Sequence, residues 1–339
     1  MRFVVRIPVS NRVASVAAIA AAAGHAEELG FHGISVHDRL ISSGAWIACG
    51  ARDAQGDGDD RDVYEPLLTL AFVAALTKRV RLLTSVLLLP LREVILLAKQ
   101  VAVLDALSGG RVMLGVGVGS APKGRGAKEP IDASARSANV SREYATLGIH
   151  AGRGRRSDES IAAMRAIWSS PRSTFAGTNV RFEDIEVFPK PAQSGGPPIL
   201  VGGSSDAALR RVARLGDGWI PNLLRPAQYR DRVATQRRLC DETGRPPSVH
   251  ALNVFTCVAR SDGEALAAFE PTMGSVFASS DLLALNLVGS AATVVARLRE
   301  YEDAGVDLVE MKPIYRSVPE LLAMMELIAR EVMPAFDAR

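Results

Sequence analysis

The organisation of the chain is clearest in residues 65–119, which read EPLLTLAFVAALTKRVRLLTSVLLLPLREVILLAKQVAVLDALSGGRVMLGVGVG. Helices are predicted at 65–77 and 91–107, because both segments are longer than about ten residues and lack internal glycine. The apolar runs at 80–89 and 112–117 have the length of strands. A helix between two such strands is typical of a βαβ unit, whose strands are parallel and buried on both faces.

The same alternation continues on both sides of this stretch. Further strands are predicted at 2–9, 33–37, 198–201, 218–220, 248–258 and 308–312. Further helices are predicted at 13–29, 157–168, 205–215, 227–242, 293–304 and 318–332. About eight consecutive βα repeats favour an α/β fold of the closed (β/α)8 TIM-barrel type. An open doubly wound sheet is less favoured, because its crossovers usually reverse around a switch point.

Four segments interrupt the repeat and are predicted to be insertions into one barrel domain that spans residues 1–339. They lie at about 39–63, 120–147, 173–190 and 271–289. The first two follow the carboxyl ends of strands, where barrel enzymes build their sites. The third alternates apolar and polar residues around a glycine and predicts an accessory β-hairpin. The fourth is a candidate lid.

The composition excludes several kinds of protein and partner. The chain is 48% hydrophobic and 23% charged, which is typical of a soluble globular protein. Its 40 basic and 37 acidic residues give a net charge of +3 without a long basic run, so we expect neither nucleic acid nor a membrane as partner. Three cysteines without CxxC spacing predict no metal site and fit a cytoplasmic protein. Hydrolase and kinase motifs are absent from the sequence.

Two glycine clusters follow predicted strands. The first, around Gly117 and Gly119, lacks the helix and acidic residue of a dinucleotide fingerprint. We interpret it as a strand end kept free of side chains so that a flat ring can approach the backbone. The second joins a strand to a helix and consists of Gly202, Gly203, Ser204 and Ser205. Such a turn exposes N–H groups to an anion, although a turn capped by serine explains the same residues.

Three polar residues, His37, Asp38 and Arg39, stand at the end of the second predicted strand. An adjacent acidic and basic residue often form a surface salt bridge, but the carboxyl end of a barrel strand is also where site residues lie. Strand alternation places His37 and Arg39 on one face and Asp38 on the other. Both interpretations stay open.

Together these segments resemble the luciferase-like monooxygenase superfamily, and more narrowly its branch that uses the deazaflavin coenzyme F420. The resemblance covers nearly the whole chain, and its most specific parts are residues 65–119 and the block VGGSSDAALRRVARLGDGW at 201–219. It implies a TIM barrel, commonly dimeric, that holds a flavin or deazaflavin across the carboxyl ends of its strands.

The resemblance also implies roles for individual residues. Asp38 matches an acidic residue near the ring system, and with Arg39 and His37 it forms the set of catalytic candidates. The cofactor-binding candidates lie in a strand-three bulge, often with a cis non-prolyl peptide, at the strand-four end and in a phosphate-binding turn. These residues are Thr84, Ser85, Val86, Gly117, Gly119, Gly202, Gly203, Ser204 and Ser205.

The chain departs from the family pattern at two places. Arg39 replaces the usual histidine after the acidic residue. An arginine stays protonated and cannot readily act as a base, but it can hold an anionic substrate, and His37 could supply the titrating group instead. The second departure is an insertion of about 20 residues at 120–140, which is either a cap over the site or a surface loop.

We therefore predict a cytoplasmic, homodimeric oxidoreductase that transfers a hydride between coenzyme F420 and a small organic substrate. One alternative is an FMN-dependent monooxygenase that receives reduced FMN from a partner reductase and uses oxygen. A second alternative is a flavin-binding protein without catalytic activity.

Overall fold

The structure, a computed structural model, describes residues 1–10, 13–41, 62–119, 143–149, 151–245, 249–274 and 279–336. Its strands are β1 (Arg2–Arg6), β2 (Gly33–Val36), β3 (Arg81–Leu88), β4 (Val112–Gly117), β5 (Ser173–Ala176), β6 (Arg181–Ile185), β7 (Ile199–Gly202), β8 (Gly218–Ile220), β9 (Val249–Ala259), β10 (Leu287–Ser290) and β11 (Leu308–Pro313). Eight of these pair in parallel in the order β1-β2-β3-β4-β7-β8-β9-β11, and β11 closes the ring on β1. The predicted (β/α)8 barrel is confirmed.

Helices surround this barrel. They are α1 (Val16–Glu28), α2 (Pro66–Leu76), α3 (Val94–Ser108), α4 (Arg153–Ser169), α5 (Asp206–Leu215), α6 (Pro226–Thr243), α7 (Asp262–Met273), α8 (Ala291–Asp303) and α9 (Val318–Leu327). Serine side chains accept hydrogen bonds from the first turns of α1, α5, α7, α8 and α9, which satisfies N–H groups that lack a partner within the helix. Within the described residues, no helix is long and apolar enough to span a membrane.

The described part of residues 271–289, the fourth predicted insertion and candidate lid, has regular secondary structure. The segment contains the end of α7, a helical turn at Ser279–Leu282 and most of β10. β9 is long enough to pair with β11 along 251–256 and with β10 along 256–259. The end of β9 beyond β11 therefore provides an edge on which β10 forms as an extra strand. The short apolar run 287–290 does not by itself indicate this pairing. The helix α7 is likewise missing from the prediction.

The segment 173–190 contains an antiparallel hairpin formed by β5 and β6, as predicted. Its aromatic residues Phe175 and Phe182 pack at a ring distance of 5.9 Å. Most of the predicted insertions at 39–63 and 120–147 lies outside the described residues, and so does Cys49.

The side chains that point into the barrel form an apolar and a polar layer. The apolar layer lies towards the amino ends of the strands and consists of Val4, Leu83, Met113, Leu200, Ile220, Val249, Ala251 and Leu308. Because side chains alternate along a strand, the next inward positions on β1 and β11 are Arg6 and Glu310. Both are buried, and Ser35 of β2 lies beside Arg6 in register. The polar layer therefore lies between the apolar core and the barrel mouth, which is formed by the carboxyl ends of the strands.

Candidate active site

The carboxylate of Glu310 organises the polar layer. Glu310 is completely buried on β11 and accepts hydrogen bonds from Arg6 at 3.1 and 2.7 Å and from Ser35 at 2.6 Å. Ser85 and Asn253 donate to its other oxygen, and Asn253 also donates to Ser85 Oγ at 2.8 Å. The carboxylate thus links β1, β2, β3, β9 and β11 inside the barrel. Charged donors and full hydrogen bonding are what a buried carboxylate requires.

A histidine and a lysine lie closer to the mouth. His37 directly follows β2 and is 7% exposed, while Lys312 of β11 is 4% exposed. The lysine Nζ lies 3.7 Å from the centre of the Phe255 ring. Both ring nitrogens of His37 are buried and have no hydrogen-bond partner among the described residues. Burial, together with the nearby positive charges of Arg6, Arg39 and Lys312, lowers the pKa of His37 to about 3. The imidazole is therefore neutral near pH 7, with one donor and one acceptor.

Glycine backbone and one valine line the opposite side of the interior. A Cβ atom at Gly117 would lie 2.6 Å from Val86 Cγ2, and one at Gly202 would lie 3.2 Å from Val86 Cγ1. The side chains of Ser85 and Val86 both point inward, the peptide bond between them is cis, and the register of β3 against β4 shifts at this point. The bulge that the resemblance implies is present. The two glycines make room for its valine.

Thr84 and Gly119 have partners within the protein. Thr84 Oγ1 donates to the carbonyl of Gly115 at 2.8 Å. Gly119 has a left-handed φ of 72°, and a Cβ atom there would lie 2.6 Å from the hydroxyl of Tyr144, which donates to Val118 O at 2.9 Å. The threonine hydroxyl thus satisfies a carbonyl of the next strand, and glycine is required at 119 because a side chain there would overlap Tyr144.

Asp38 is bound at the junction of β3 and α3. Its carboxylate accepts from the N–H of Leu88 at 2.8 Å and from Arg92 at 2.7 Å, and Arg92 also pairs with Glu65 at 2.6 Å. Burial is the largest influence on Asp38 and raises the pKa of its carboxyl, whereas Arg92 lowers it. Asp38 therefore ties the residues after β2 to the carboxyl end of β3 and the start of α3.

Arg39 pairs with a glutamate that follows the predicted insertion. Arg39 Nη1 lies 2.8 Å from Glu143 Oε2, and both side chains are buried. The other oxygen of Glu143 accepts from the N–H groups of Leu40 and Ile41 at 2.6 and 3.1 Å. The ion pair docks residues 143–149 against the chain that leaves β2, so the charge of Arg39 is balanced next to the mouth.

The turn at 202–205 leads from β7 into α5. Gly203 has a φ of 95°, and its carbonyl accepts from Trp219 at 2.7 Å. Ser205 caps α5 by accepting from the N–H of Ala208 at 3.2 Å. Ser204 is half-buried beside it. The turn capped by serine is therefore present, and it places the positive end of the α5 dipole beside the carboxyl end of β7.

The polar layer was not predicted from the sequence. Its residues Arg6, Asn253 and Glu310, and Lys312 nearer the mouth, lie on strands that were predicted from their apolar residues alone. Charged residues are almost never fully buried unless they are paired. Charges at alternate positions, as in LVEMKP at 308–313, are the signal that could have identified them.

The comparisons with known proteins agree with this architecture. A family model described as luciferase-like monooxygenase matches residues 1–286. The chain belongs to the luciferase-like monooxygenase family, as the resemblance implied.

Similar proteins are found both by sequence and by structure. An uncharacterized protein of Mycobacterium tuberculosis is 34% identical over 199 residues, which cover 58% of this chain and 62% of that protein. An FMNH2-dependent dimethylsulfone monooxygenase of Pseudomonas putida is 28% identical over 243 residues, which cover 70% of this chain and 60% of that enzyme. The chain thus spans about three fifths of the length of these curated relatives.

Among solved structures, the coenzyme F420 dependent tetrahydromethanopterin reductase from Methanopyrus kandleri superposes with a TM-score of 0.77 at 17% identity, covering 99% of each chain. A monooxygenase from Streptomyces bottropensis gives a TM-score of 0.77 at 22% identity, covering 99% of this chain and 100% of that one. At these identities the similarity establishes the shared fold.

Proposed function

We propose that this protein transfers a hydride between coenzyme F420 and a small organic substrate at the barrel mouth. The observation that carries the proposal is that three buried polar atoms of the barrel interior, both nitrogens of His37 and Oδ1 of Asn253, have no hydrogen-bond partner among the described residues. Such atoms are costly in a folded protein unless a ligand or water satisfies them. They lie on the charged side of the interior, opposite the glycine-lined side.

The chemistry of these atoms fits a flavin or deazaflavin ring. The pyrimidine edge of both rings carries carbonyl acceptors and an N–H donor. His37 offers one donor and one acceptor, and Asn253 Oδ1 offers an acceptor. The positive charges of Arg6 and Lys312 favour negative charge on a reduced ring. Across the interior, Val86 presents an apolar surface suited to a flat aromatic face.

The protein would hold the cofactor at both ends. Arg6, His37 and Asn253 would contact the ring edge, and the turn at 202–205 would hold the phosphate at the amino end of α5. When bound, the deazaflavin supplies a ring that accepts or donates a hydride. The protein contributes orientation, exclusion of water from the buried polar layer, and a neutral imidazole that can exchange a proton with a substrate hydroxyl or carbonyl.

Titration of the purified protein with oxidised F420 and, separately, with FMN tests this proposal. We expect F420 to bind at least about tenfold more tightly than FMN, because its acidic tail adds electrostatic attraction to a chain with a net charge of +3. The measurement is the change in cofactor fluorescence with protein concentration. If neither cofactor binds, the proposal is wrong.

Substitution of Gly203 provides a check on the phosphate turn. Gly203→Val forces a β-branched side chain into a φ of 95°, so the turn must change shape and cofactor binding should weaken. Gly244→Val is the matched control, because Gly244 also has a left-handed φ but ends α6 with no atom within 4 Å of its Cβ position.

A second candidate function is supported by the relative from Pseudomonas putida, an FMNH2-dependent monooxygenase. In that case a partner reductase would supply reduced FMN, and oxygen would be the second substrate. The same titration separates the two candidates. Tighter binding of FMN than of F420 would replace the hydride-transfer proposal with this one.

We also propose that the protein forms a homodimer through α2. This helix, PLLTLAFVAAL, contains no charged residue, and its exposed side carries Leu68, Phe72 and Leu76, which are 70%, 39% and 48% exposed. Their spacing of four residues forms one stripe along the helix. Because this face carries no charge, it cannot bind a partner through complementary charges. A two-fold axis, however, would bury the stripe against its own copy, and homodimer interfaces are the more apolar class.

The expected result is that the wild-type protein has the mass of a dimer in light scattering and that the double variant Leu68→Glu/Leu76→Glu has the mass of a monomer. The reason is that each two-fold contact would bury unpaired carboxylates. Leu283→Glu is the control, since Leu283 is also exposed, at 50%, but is not part of α2, so its substitution should leave the dimer intact. A monomeric wild type, or a dimeric double variant, would contradict the proposal.

A further inference from the structure

We propose that Glu310 orients the side-chain amide of Asn253 so that its oxygen accepts a hydrogen bond from the N–H group on the pyrimidine edge of the bound ring. Asn253 then determines which ring edge the site accepts, and Glu310 is a positioning residue that acts through Asn253. The inference rests on the proposed function and assigns a specificity role within the same site.

The amide nitrogen of Asn253 is held by two oxygen atoms. Asn253 of β9 lies opposite Glu310 of β11 in register, and its Nδ2 donates to the Glu310 carboxylate. The same Nδ2 donates to Ser85 Oγ at 2.8 Å. Ser85 gives its own hydroxyl proton to the same oxygen of Glu310. The three side chains thus form a closed set of hydrogen bonds in which Asn253 is a donor twice.

This network permits one orientation of the Asn253 amide. The second oxygen of Glu310 accepts from Arg6 and from Ser35, so both oxygens of the carboxylate act as acceptors. If the amide were rotated by half a turn, Asn253 Oδ1 would face a carboxylate oxygen that has no proton to give. The hydrogen-bond partners therefore fix which end of the amide carries the nitrogen. The NH2 group faces Glu310 and the oxygen faces away from it.

The oxygen of this amide is buried in the barrel interior. Ala251, two residues earlier on β9, belongs to the inward apolar layer, so Asn253 points inward one step closer to the mouth. Asn253 is 7% exposed, and its Oδ1 has no hydrogen-bond partner among the described residues. A buried acceptor without a partner is costly. A ligand that satisfies this atom has to present a donor.

This arrangement makes a prediction about the ring edge. The pyrimidine edge of a flavin or deazaflavin has one N–H group between two carbonyl groups. A methyl group on this nitrogen removes the donor, and a site built to bind an N–H group discriminates strongly against an analogue that lacks it. The probes are therefore deazariboflavin and its N3-methyl derivative, which are both neutral and have no acidic tail.

Fluorescence titration of the full chain with each probe gives the preference for the N–H ring, defined as the ratio of the two dissociation constants. We expect the wild-type protein to bind deazariboflavin at least about tenfold more tightly than the N3-methyl derivative. A methyl group also adds bulk, so variants of unchanged size are needed to show that the hydrogen bond causes the preference.

Glu310→Gln is the first of these variants. The carbonyl oxygen of the new side chain should stay with Arg6 and Ser35, which puts its NH2 group beside Asn253. The amide of Asn253 should then rotate to accept from it, and its own NH2 group would face the ring. We expect the preference for the N–H ring to fall at least about tenfold. Exclusion of the methyl group by bulk would persist in this variant, and the lost charge affects two neutral probes alike.

Asn253→Leu is the second variant, because leucine has a similar size and no acceptor. It should also lower the preference at least about tenfold. Asn286→Leu is the matched control. Asn286 is 2% exposed, and its Oδ1 likewise has no partner among the described residues, but it precedes β10 outside the ring of eight strands. Its substitution should leave the preference unchanged.

Three results would each overturn the inference: equal binding of the two probes to the wild type, an unchanged preference in Asn253→Leu, or an unchanged preference in folded Glu310→Gln. If Glu310→Gln does not fold, Asn253→Leu decides by itself. A preference that falls equally in Asn286→Leu would also contradict it, because the effect would then not depend on the polar layer.

The cofactor titration keeps the two proposals distinguishable. If F420 binds but the two probes bind equally, the role of Asn253 is wrong and the proposed function stands. If FMN binds more tightly than F420 while the preference for the N–H ring is retained, the hydride-transfer proposal is replaced and the role of Asn253 stands. If neither cofactor and neither probe binds, both proposals are wrong.

Discussion

Replacement of Glu310 by alanine is expected to lower the free energy of unfolding by about 3–5 kcal/mol, the cost of leaving a buried charge without its partner. Glu310 is 0% exposed and accepts hydrogen bonds from Arg6, Ser35, Ser85 and Asn253. Its removal leaves the Arg6 guanidinium in the barrel interior without the neutralising carboxylate. Urea unfolding followed by circular dichroism measures the change.

Two further variants identify the cause of this loss. Arg6→Met/Glu310→Leu removes both charges and should recover much of the stability, because apolar replacement of a buried ion pair is often neutral. Glu186→Ala is the control, because the Glu186 carboxylate lies 3.5 Å from the guanidinium of Arg172 and both side chains are exposed. This change should lower the free energy of unfolding by less than about 1 kcal/mol. If Glu310→Ala costs no more than Glu186→Ala, the polar layer does not stabilise the barrel in the way described.

The second large effect is expected from Gly115→Ala, which should destabilise the protein by about 3 kcal/mol or more, at the upper end of what overpacking costs. A Cβ atom at Gly115 would overlap the carbonyl oxygen of Thr84 on the neighbouring strand. Backbone cannot move aside as a flexible side chain can. The register shift of β3 and the hydrogen bond from Thr84 Oγ1 to Gly115 O would have to change together.

A glycine-to-alanine substitution inside a helix should instead raise the stability of the protein. Gly24 lies inside α1 with no atom within 4 Å of its Cβ position. Gly24→Ala should therefore stabilise the protein by roughly 0.5–1 kcal/mol, because alanine loses less conformational entropy in a helix. Thermal unfolding of the two variants gives the comparison. A Gly115→Ala protein as stable as the wild type would show that β3 and β4 are not in contact at this position.

Much of the barrel could be predicted from sequence because its signals are local. Apolar runs of strand length alternate with helices along the chain, and this period identifies βα repeats without any tertiary information. Element ends were less predictable: α1 begins at Val16 after the cap Ser15, several residues beyond the predicted start. β10 was missed because it forms only where the long β9 supplies a free edge.

The candidate site was predictable only in part. The sequence directed attention to residues 37–39 and 202–205, which lie at the carboxyl ends of β2 and β7, and to residues 84–86, which lie within β3 at the level of the polar layer. The resemblance assigned Asp38 to the neighbourhood of the ring, and the structure adds that its carboxylate is bound by Leu88 and Arg92. The direction of one side chain at a strand end depends on what the adjoining helix presents to it, and no pattern in the chain carries that information.

By itself, the sequence determined the fold, the family and the positions of the strand ends, because periodicity and motifs are properties of neighbouring residues. Only the tertiary structure decided which polar residues meet. Arg6 and Glu310 are separated by 304 positions but lie on adjacent strands of a closed barrel. Ring closure brings the first and last strands together, and the resulting buried charge pair sets the electrostatics of the mouth.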